Sequence, residues 1–214
     1  MENKVNSASK NNNRDIVKVA IIKYNAGNIF SVLYALKRIG IEAEVTDDFD
    51  TIRNADKVIF PGVGEASTAM AYLKEKGLDS LIKSLKQPVL GICIGLQLMC
   101  QSSEEGNAEC MGIFDVKVQK FDNSSCPEFK IPHMGWNTIS ATAGNSLITE
   151  EQNNAYAYFV HSYYAPVCKH AISQCDYITP FSAALHKDNF YATQFPPEKS
   201  GDLGEQILKN FILL

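Results

Sequence analysis

The sequence has no long hydrophobic run, little histidine and almost no tryptophan, and each shortage excludes something. No apolar stretch approaches the ~20 residues needed to span a bilayer, so no membrane association is expected. Lysine and arginine do not cluster and the net charge is −4, so no nucleic-acid surface is expected. The six cysteines are Cys93, Cys100, Cys110, Cys126, Cys168 and Cys175. They form no CxxC pair and no metal-ligand spacing, which argues against a structural zinc site or a disulfide framework. A reduced, cytoplasmic protein without metal or organic cofactor is the expectation. Residues 1–15 are polar and lack the apolar stretch of a secretory signal. They read as a disordered lead-in.

What is present suits one compact α/β domain over residues 16–214. The chain has 214 residues, 45% of them hydrophobic and 21% charged, enough for a full core. Residues 17–23 (VKVAIIK), 41–45, 57–60 (KVIF) and 89–92 are short β-branched or apolar runs that read as buried parallel strands. Between the first two, Ile29, Val32, Leu33, Leu36 and Ile39 recur at helical spacing, with Asn28 placed to cap that helix and Gly40 to end it. A helical stretch is predicted from about residue 65 through Leu85. Residues 113–121 and 155–161 read as further strands, 183–185 and 190–195 as a hairpin, and a last helix is predicted from about Gly204. Strands alternating with helices imply a largely parallel central sheet, whose ligand site lies at the carboxyl ends of the strands. Gly62-Val63-Gly64 and Cys93 both fall at such ends.

The strongest local signal is Gly91-Ile92-Cys93-Ile94-Gly95-Leu96-Gln97. A thiol stands between glycines spaced G-x-C-x-G, after an apolar strand and before a helix, which is the pattern of a nucleophile elbow. The sharp turn needs small neighbours. The helix start aims N–H groups at the sulphur, which is expected to lower the thiol pKa. The Ile94 amide is placed to bind a developing oxyanion. The plainer reading is a buried cysteine between two turn glycines.

Residues 91–97, together with Pro61-Gly62-Val63-Gly64 and Ser103-Glu104-Glu105-Gly106, resemble class I glutamine amidotransferases. Residues 23–28 (KYNAGN), 132–137 (PHMGWN), 158–163 (YFVHSY) and the segment from Gln194 to Ser200 narrow the resemblance to the glutaminase subunits of imidazole glycerol phosphate synthase. The likeness runs over about residues 17–214. It implies a three-layer, flavodoxin-like α/β fold with a mixed, largely parallel sheet. It also implies that Cys93 forms a glutamyl thioester and that a histidine, oriented by Glu198, carries protons. Gly62, Val63 and Ile94 then form the oxyanion hole, and Gln97, Glu105, His161, Ser162 and Tyr163 line a glutamine pocket. Asn25, Trp136 and Tyr158 face a cyclase partner in a heterodimer, which receives the ammonia.

One position departs from the pattern. The family reads Gln-Phe-His-Pro-Glu-Lys-Ser; this chain reads Gln194-Phe195-Pro196-Pro197-Glu198-Lys199-Ser200. Proline cannot carry a proton between groups, so impaired glutaminase activity is expected. A docking subunit without glutaminase chemistry, or an ammonia donor to a different synthase, are the alternatives. Without the resemblance, Gln97 and Glu105 read as solvated polar residues, His133 and His161 as structural histidines, and Trp136 as core.

Overall fold

The computed structural model describes residues 17–24, 29–142 and 144–214. The expected lead-in, the Asn25 position and the Asn28 cap lie outside them. The first half alternates strand and helix: β1 (Val19–Ile22), α1 (Ile29–Arg38), β2 (Ala43–Thr46), α2 (Phe49–Asn54), β3 (Lys57–Phe60), α3 (Ala66–Lys76), α4 (Leu78–Ser84), β4 (Val89–Ile92) and α5 (Ile94–Met99). The second half is mostly strand. Short pieces β5 (Ser102–Ser103), β6 (Ala108–Glu109) and β7 (Lys117–Lys120) precede β8 (His133–Thr138), β9 (Ser140–Ala141) and β10 (Tyr156–His161). Then come β11 (Tyr163–Tyr164), β12 (Ala171–Asp176), β13 (Pro180–Lys187), β14 (Phe190–Thr193) and α6 (Gly201–Leu213).

The central sheet runs β2-β1-β3-β4-β14-β13-β12-β9. Neighbours from β2 to β14 are parallel, and those from β14 to β9 are antiparallel. Side chains alternate across it, as strand geometry requires. Ala20, Ile22, Val58 and Phe60 enter one core, with Ile52 of α2, Leu73 of α3 and Ile82 of α4. Val19, Ile21, Ile59 and Leu90 enter the other, with Leu36 of α1 and Ile207 and Phe211 of α6. The result is an α/β/α sandwich whose central strands are buried on both faces, which explains why β1 and β4 are apolar throughout.

Several boundaries differ from the sequence reading for local reasons. The long helix after residue 65 is two helices, because Gly77 adopts φ 69° and its amide bonds back to the Lys74 carbonyl. Such a left-handed residue ends a helix. Residues 113–121 are not one strand. Ile113 and Phe114 both donate their amides to the Met99 carbonyl, and so close the end of α5. Their apolar character reflects burial there, and β7 begins only at Lys117. Asp48 caps the unforeseen α2 by accepting from the Thr51 amide at 2.8 Å. Strands β8 and β12 were also unforeseen, being short, polar and mixed in pattern.

The functional edge is set at the centre of the sheet. Strands β3, β4 and β14 are adjacent and parallel, with Phe60 opposite Gly91 and Ile92 opposite Thr193. Their carboxyl ends deliver residues 61–64, Cys93 and residues 194–200 to one place. Gly95, on the first turn of α5, packs so closely on β3 that a β-carbon there would collide with the Phe60 carbonyl. Gly95→Ala is therefore expected to lower stability by about 1–3 kcal/mol, as overpacking does. Urea denaturation measures this, and an unchanged midpoint would contradict the packing account.

Candidate active site

Cys93 sits between β4 and α5 with φ 56° and ψ −109°. This is a left-handed conformation that costs a non-glycine residue on the order of 1–3 kcal/mol. The Cys93 amide donates to the Thr193 carbonyl at 2.8 Å, which ties the strained residue to β14. Cys93 is half-buried and lines a cavity of about 350 Å³ together with Val63, Gly64, Ile94, Gln97, Glu105, Pro132, Val160, His161, Ser162 and Tyr163. Gly62 is buried beside it, against Ile94 and the Tyr24 hydroxyl. A larger groove of about 730 Å³ lies at the amino ends of β1 and β2, but its polar lining, such as Glu42, Glu44 and Thr51, offers no nucleophile.

The cavity is polar on one wall. The Glu105 carboxylate accepts from the Ala66 amide at the start of α3, 2.9 Å away. Burial still pushes the Glu105 pKa up against that bond. Gln97, 3% exposed, donates from Nε2 to the Tyr163 carbonyl at 3.0 Å and to Gln194 Oε1 at 3.1 Å. Its Oε1 is buried and has no partner. Val63 is 44% exposed at the mouth.

His161 lines the cavity with both ring nitrogens engaged. Nδ1 lies 2.8 Å from the Tyr163 carbonyl, which can only accept, so Nδ1 carries the proton. Nε2 then accepts from His133 Nδ1 at 3.1 Å, and His133 Nε2 lies 3.4 Å from the Asn137 amide nitrogen. Burial lowers the His133 pKa to about 4 and, chiefly by the same cause, that of His161 to about 3. His186 stacks on Tyr191 and is held by Asn145 and the Asp188 carbonyl. It pairs in register with Tyr191, which aligns with Leu90, so it lies back along the sheet from Cys93. Neither histidine has a free ring nitrogen.

Pro196 follows the buried Phe195 and is itself buried, with φ −74° and ψ 113°. Glu198 is half-buried in the 3₁₀ turn Pro197–Lys199 that follows. The thiol of Cys93 is pushed up to about 12, first by burial, then by the charge of Glu198, with Glu105 adding to the rise. The Ile94 amide and Lys199 oppose it without prevailing. The sequence reading expected a lowered thiol pKa. The elbow does supply that amide, but burial of the thiol, and after it the charge of Glu198, outweigh it.

The outer face of β8 and β10 adjoins the same turn. Trp136 is 56% exposed and meets Tyr158 edge-on at 5.8 Å. Met134 and Tyr156 are exposed beside them. Ser200 Oγ accepts from the Tyr158 amide at 3.1 Å and donates to the Pro196 carbonyl at 2.9 Å, linking this face to the Pro196 segment. Sequence reasoning quoted Tyr24 and Gln194 as motif members but gave them no role. In the structure the Gln194 amide reaches the Cys93 sulphur at 3.9 Å, and the Tyr24 hydroxyl is buried without a partner. A polar residue at the end of the largely apolar run 190–195 was the available signal for Gln194. Among the described residues no cluster of three or more His, Cys, Asp or Glu could hold a metal ion, and no helix is long and apolar enough to cross a membrane.

A sheet that brings a strained cysteine to the mouth of a polar cavity defines a thiol amidotransferase architecture, and comparison with known proteins agrees. The profile described as "Glutamine amidotransferase class-I" matches residues 20–214, and the chain belongs to that family. It is 62% identical to imidazole glycerol phosphate synthase subunit HisH of Bacteroides fragilis over 198 residues, covering 92% of this chain and all of the relative. It is 46% identical to the subunit of the same name from Escherichia coli K12, covering 92% and 99%. The structure of PurLQS from Thermotoga maritima shares the fold, with a TM-score of 0.68 at 14% identity over 92% of this chain and 97% of that one.

The histidine pair gives a pH prediction. Both folded-state pKa values lie below 6.5. The unfolded chain therefore takes up protons first as pH falls, and stability drops. The loss is expected to begin near pH 6.5 and to run to about 4 for His133 and about 3 for His161. Denaturant midpoints measured across this range should fall, and His133→Gln should flatten the slope by up to about one proton. A midpoint independent of pH over the range would contradict the assigned tautomers.

Proposed function

We propose that this chain is the glutaminase subunit of an imidazole glycerol phosphate synthase, docked on a cyclase in the cytoplasm, and that Pro196 leaves its glutaminase chemistry impaired. Residues 16–214 act as one amidotransferase domain. The observation that carries the reading is Cys93 at a strained elbow, open to a cavity where Gln97 presents an unpaired buried oxygen. That oxygen can accept an N–H from glutamine, Glu105 can meet the α-ammonium, and Ser162 and Tyr163 complete the wall.

In the reaction, Cys93 sulphur bonds to the side-chain carbonyl carbon of glutamine, and the oxygen becomes an oxyanion held by the Ile94 and Val63 amides. The carbon–nitrogen bond then breaks, and the nitrogen must gain a proton to leave as ammonia. Water next attacks the thioester and gives up a proton as glutamate forms. Each step needs a proton carrier between sulphur, nitrogen and water. At this position the family has histidine and the chain has Pro196. With the thiol pushed up to about 12, chiefly by burial, the sulphur is held in the protonated form at neutral pH. Glu198 remains, and its charge without an imidazolium disfavours the thiolate it would otherwise serve.

The partner reading rests on Trp136 and Tyr158, an aromatic pair on an exposed strand face with Met134 and Tyr156 around it. Exposed aromatic clusters of this kind are favoured at interface centres. An aromatic anchor is worth about 2 kcal/mol or more, so Trp136→Ala should weaken binding to the cyclase by roughly thirtyfold while leaving the fold intact. Calorimetric titration with the cyclase reads this, and unaltered affinity would remove Trp136 from the interface.

The Pro196→His variant tests the chemical part. The Pro196 backbone has dihedrals open to any L-residue, so histidine fits without rebuilding the turn. With the cyclase and its nucleotide ligand present, the variant is expected to hydrolyse glutamine at least about 10²-fold faster than the unaltered chain. Equal rates would show that another group carries the protons.

A further inference from the structure

We infer that Gln194 is a positioning residue for Cys93, a fixed N–H donor to the sulphur that joins the nucleophile to the substrate wall through Gln97. The assignment rests on the reading of Cys93 as nucleophile and adds to it a residue with no role so far.

Hydrogen-bond logic determines which way each amide points. The Tyr163 backbone carbonyl can only accept, so the Gln97 atom 3.0 Å from it is Nε2. That same nitrogen lies 3.1 Å from the Gln194 side chain, whose facing atom must then be an acceptor, Oε1. The Gln194 Nε2 is left facing Cys93 Sγ at 3.9 Å. Gln97 donates to both the Tyr163 carbonyl and Gln194, Gln194 donates to the sulphur, and one backbone acceptor orients both amides. Gln194 is fully buried, and its amide N–H on the main chain bonds the Ala183 carbonyl at 2.8 Å. Both neighbours along the chain, Thr193 and Phe195, are buried as well. Burying an amide side chain costs free energy unless its hydrogen bonds are made. Here one of its two bonds goes to the sulphur.

The charged and titratable groups around the sulphur make a neutral donor useful. Glu198 and Lys199 face it from the turn after β14, Glu105 from the turn after β5, and Tyr24 from the end of β1, with His161 across the cavity on β10. Two carboxylates oppose the thiolate, and an N–H aimed at sulphur stabilises it without adding charge. Because Gln97 lines the cavity, substrate contact with its free Oε1 and the setting of the sulphur involve the same pair of amides.

The test follows alkylation of Cys93 by iodoacetamide in the full chain, read by peptide mass spectrometry from about pH 7 to about pH 10. Gln194→Met conserves volume and removes the donor. It is expected to slow Cys93 alkylation about tenfold at a given pH and to move the rate profile to higher pH. Gln97→Met, which frees the Gln194 amide to turn, should shift the profile the same way by less, and it carries the test if the first variant does not fold. Profiles that superimpose on that of the unaltered chain overturn the assignment. The nucleophile reading is tested separately: Cys93→Ser in the Pro196→His chain should abolish glutamine turnover. Persistent turnover would end that reading while the alkylation profile still reports on the Gln194 contact.

Discussion

The site depends on the bond from the Cys93 amide to the Thr193 carbonyl, which holds a residue with left-handed φ in line with β14. Without that tie, and without Gly95 seated on the Phe60 carbonyl, nothing would keep the cysteine out of an ordinary helical start. Three parallel strands in register make the tie possible. They end together, so the turn after β3, the elbow after β4 and the Pro196 segment after β14 converge although they are far apart in sequence. The two dry cores on either face fix the strands rigidly enough to store the strain. The cavity is thus a consequence of sheet order, with the end of β10 and the turn into β11 closing the far side.

The electrostatics of the cavity follow from what is missing as much as from what is present. Burial raises the thiol first, and the charges of Glu198 and Glu105 add to the rise. A cationic imidazolium would reverse this balance, and Pro196 cannot provide one. The remaining imidazole on the cavity wall, His161, is locked as a neutral tautomer by the Tyr163 carbonyl and His133. The polar inventory is therefore that of a binding pocket with a quiet thiol. Under the proposed function its surroundings, from Gln97 to Ser200, serve substrate and partner, and Pro196 stands where a proton carrier would act.

Much of this was legible in the sequence, and the remainder was hidden for physical reasons. The runs at residues 57–60 and 89–92 matched β3 and β4 residue for residue, because strands buried on both faces read as near-continuous apolar runs. The elbow was legible because its close packing admits only glycine at Gly95 and leaves little room at Gly91. Strand β8 was hidden: His133 and Asn137 point inward to a hydrogen-bonded chain while Met134 and Trp136 point outward, which inverts the usual hydrophobic pattern. Apolar Ile113 and Phe114 suggested a strand, but they seal the end of α5. The thiol's raised pKa could not be read from local spacing, since Glu105 and Glu198 reach the sulphur from distant segments. The Gln97–Gln194 contact likewise joins residues 97 positions apart.

The central claim is that this chain holds glutamine and its partner yet delivers little ammonia of its own. The most direct measurement compares two rates for the unaltered chain in complex with the cyclase: synthesis driven by glutamine and synthesis driven by ammonium salts. The account predicts full ammonium-driven synthesis and a glutamine-driven rate lower by about 10²-fold or more. Comparable rates from the two nitrogen sources would contradict it.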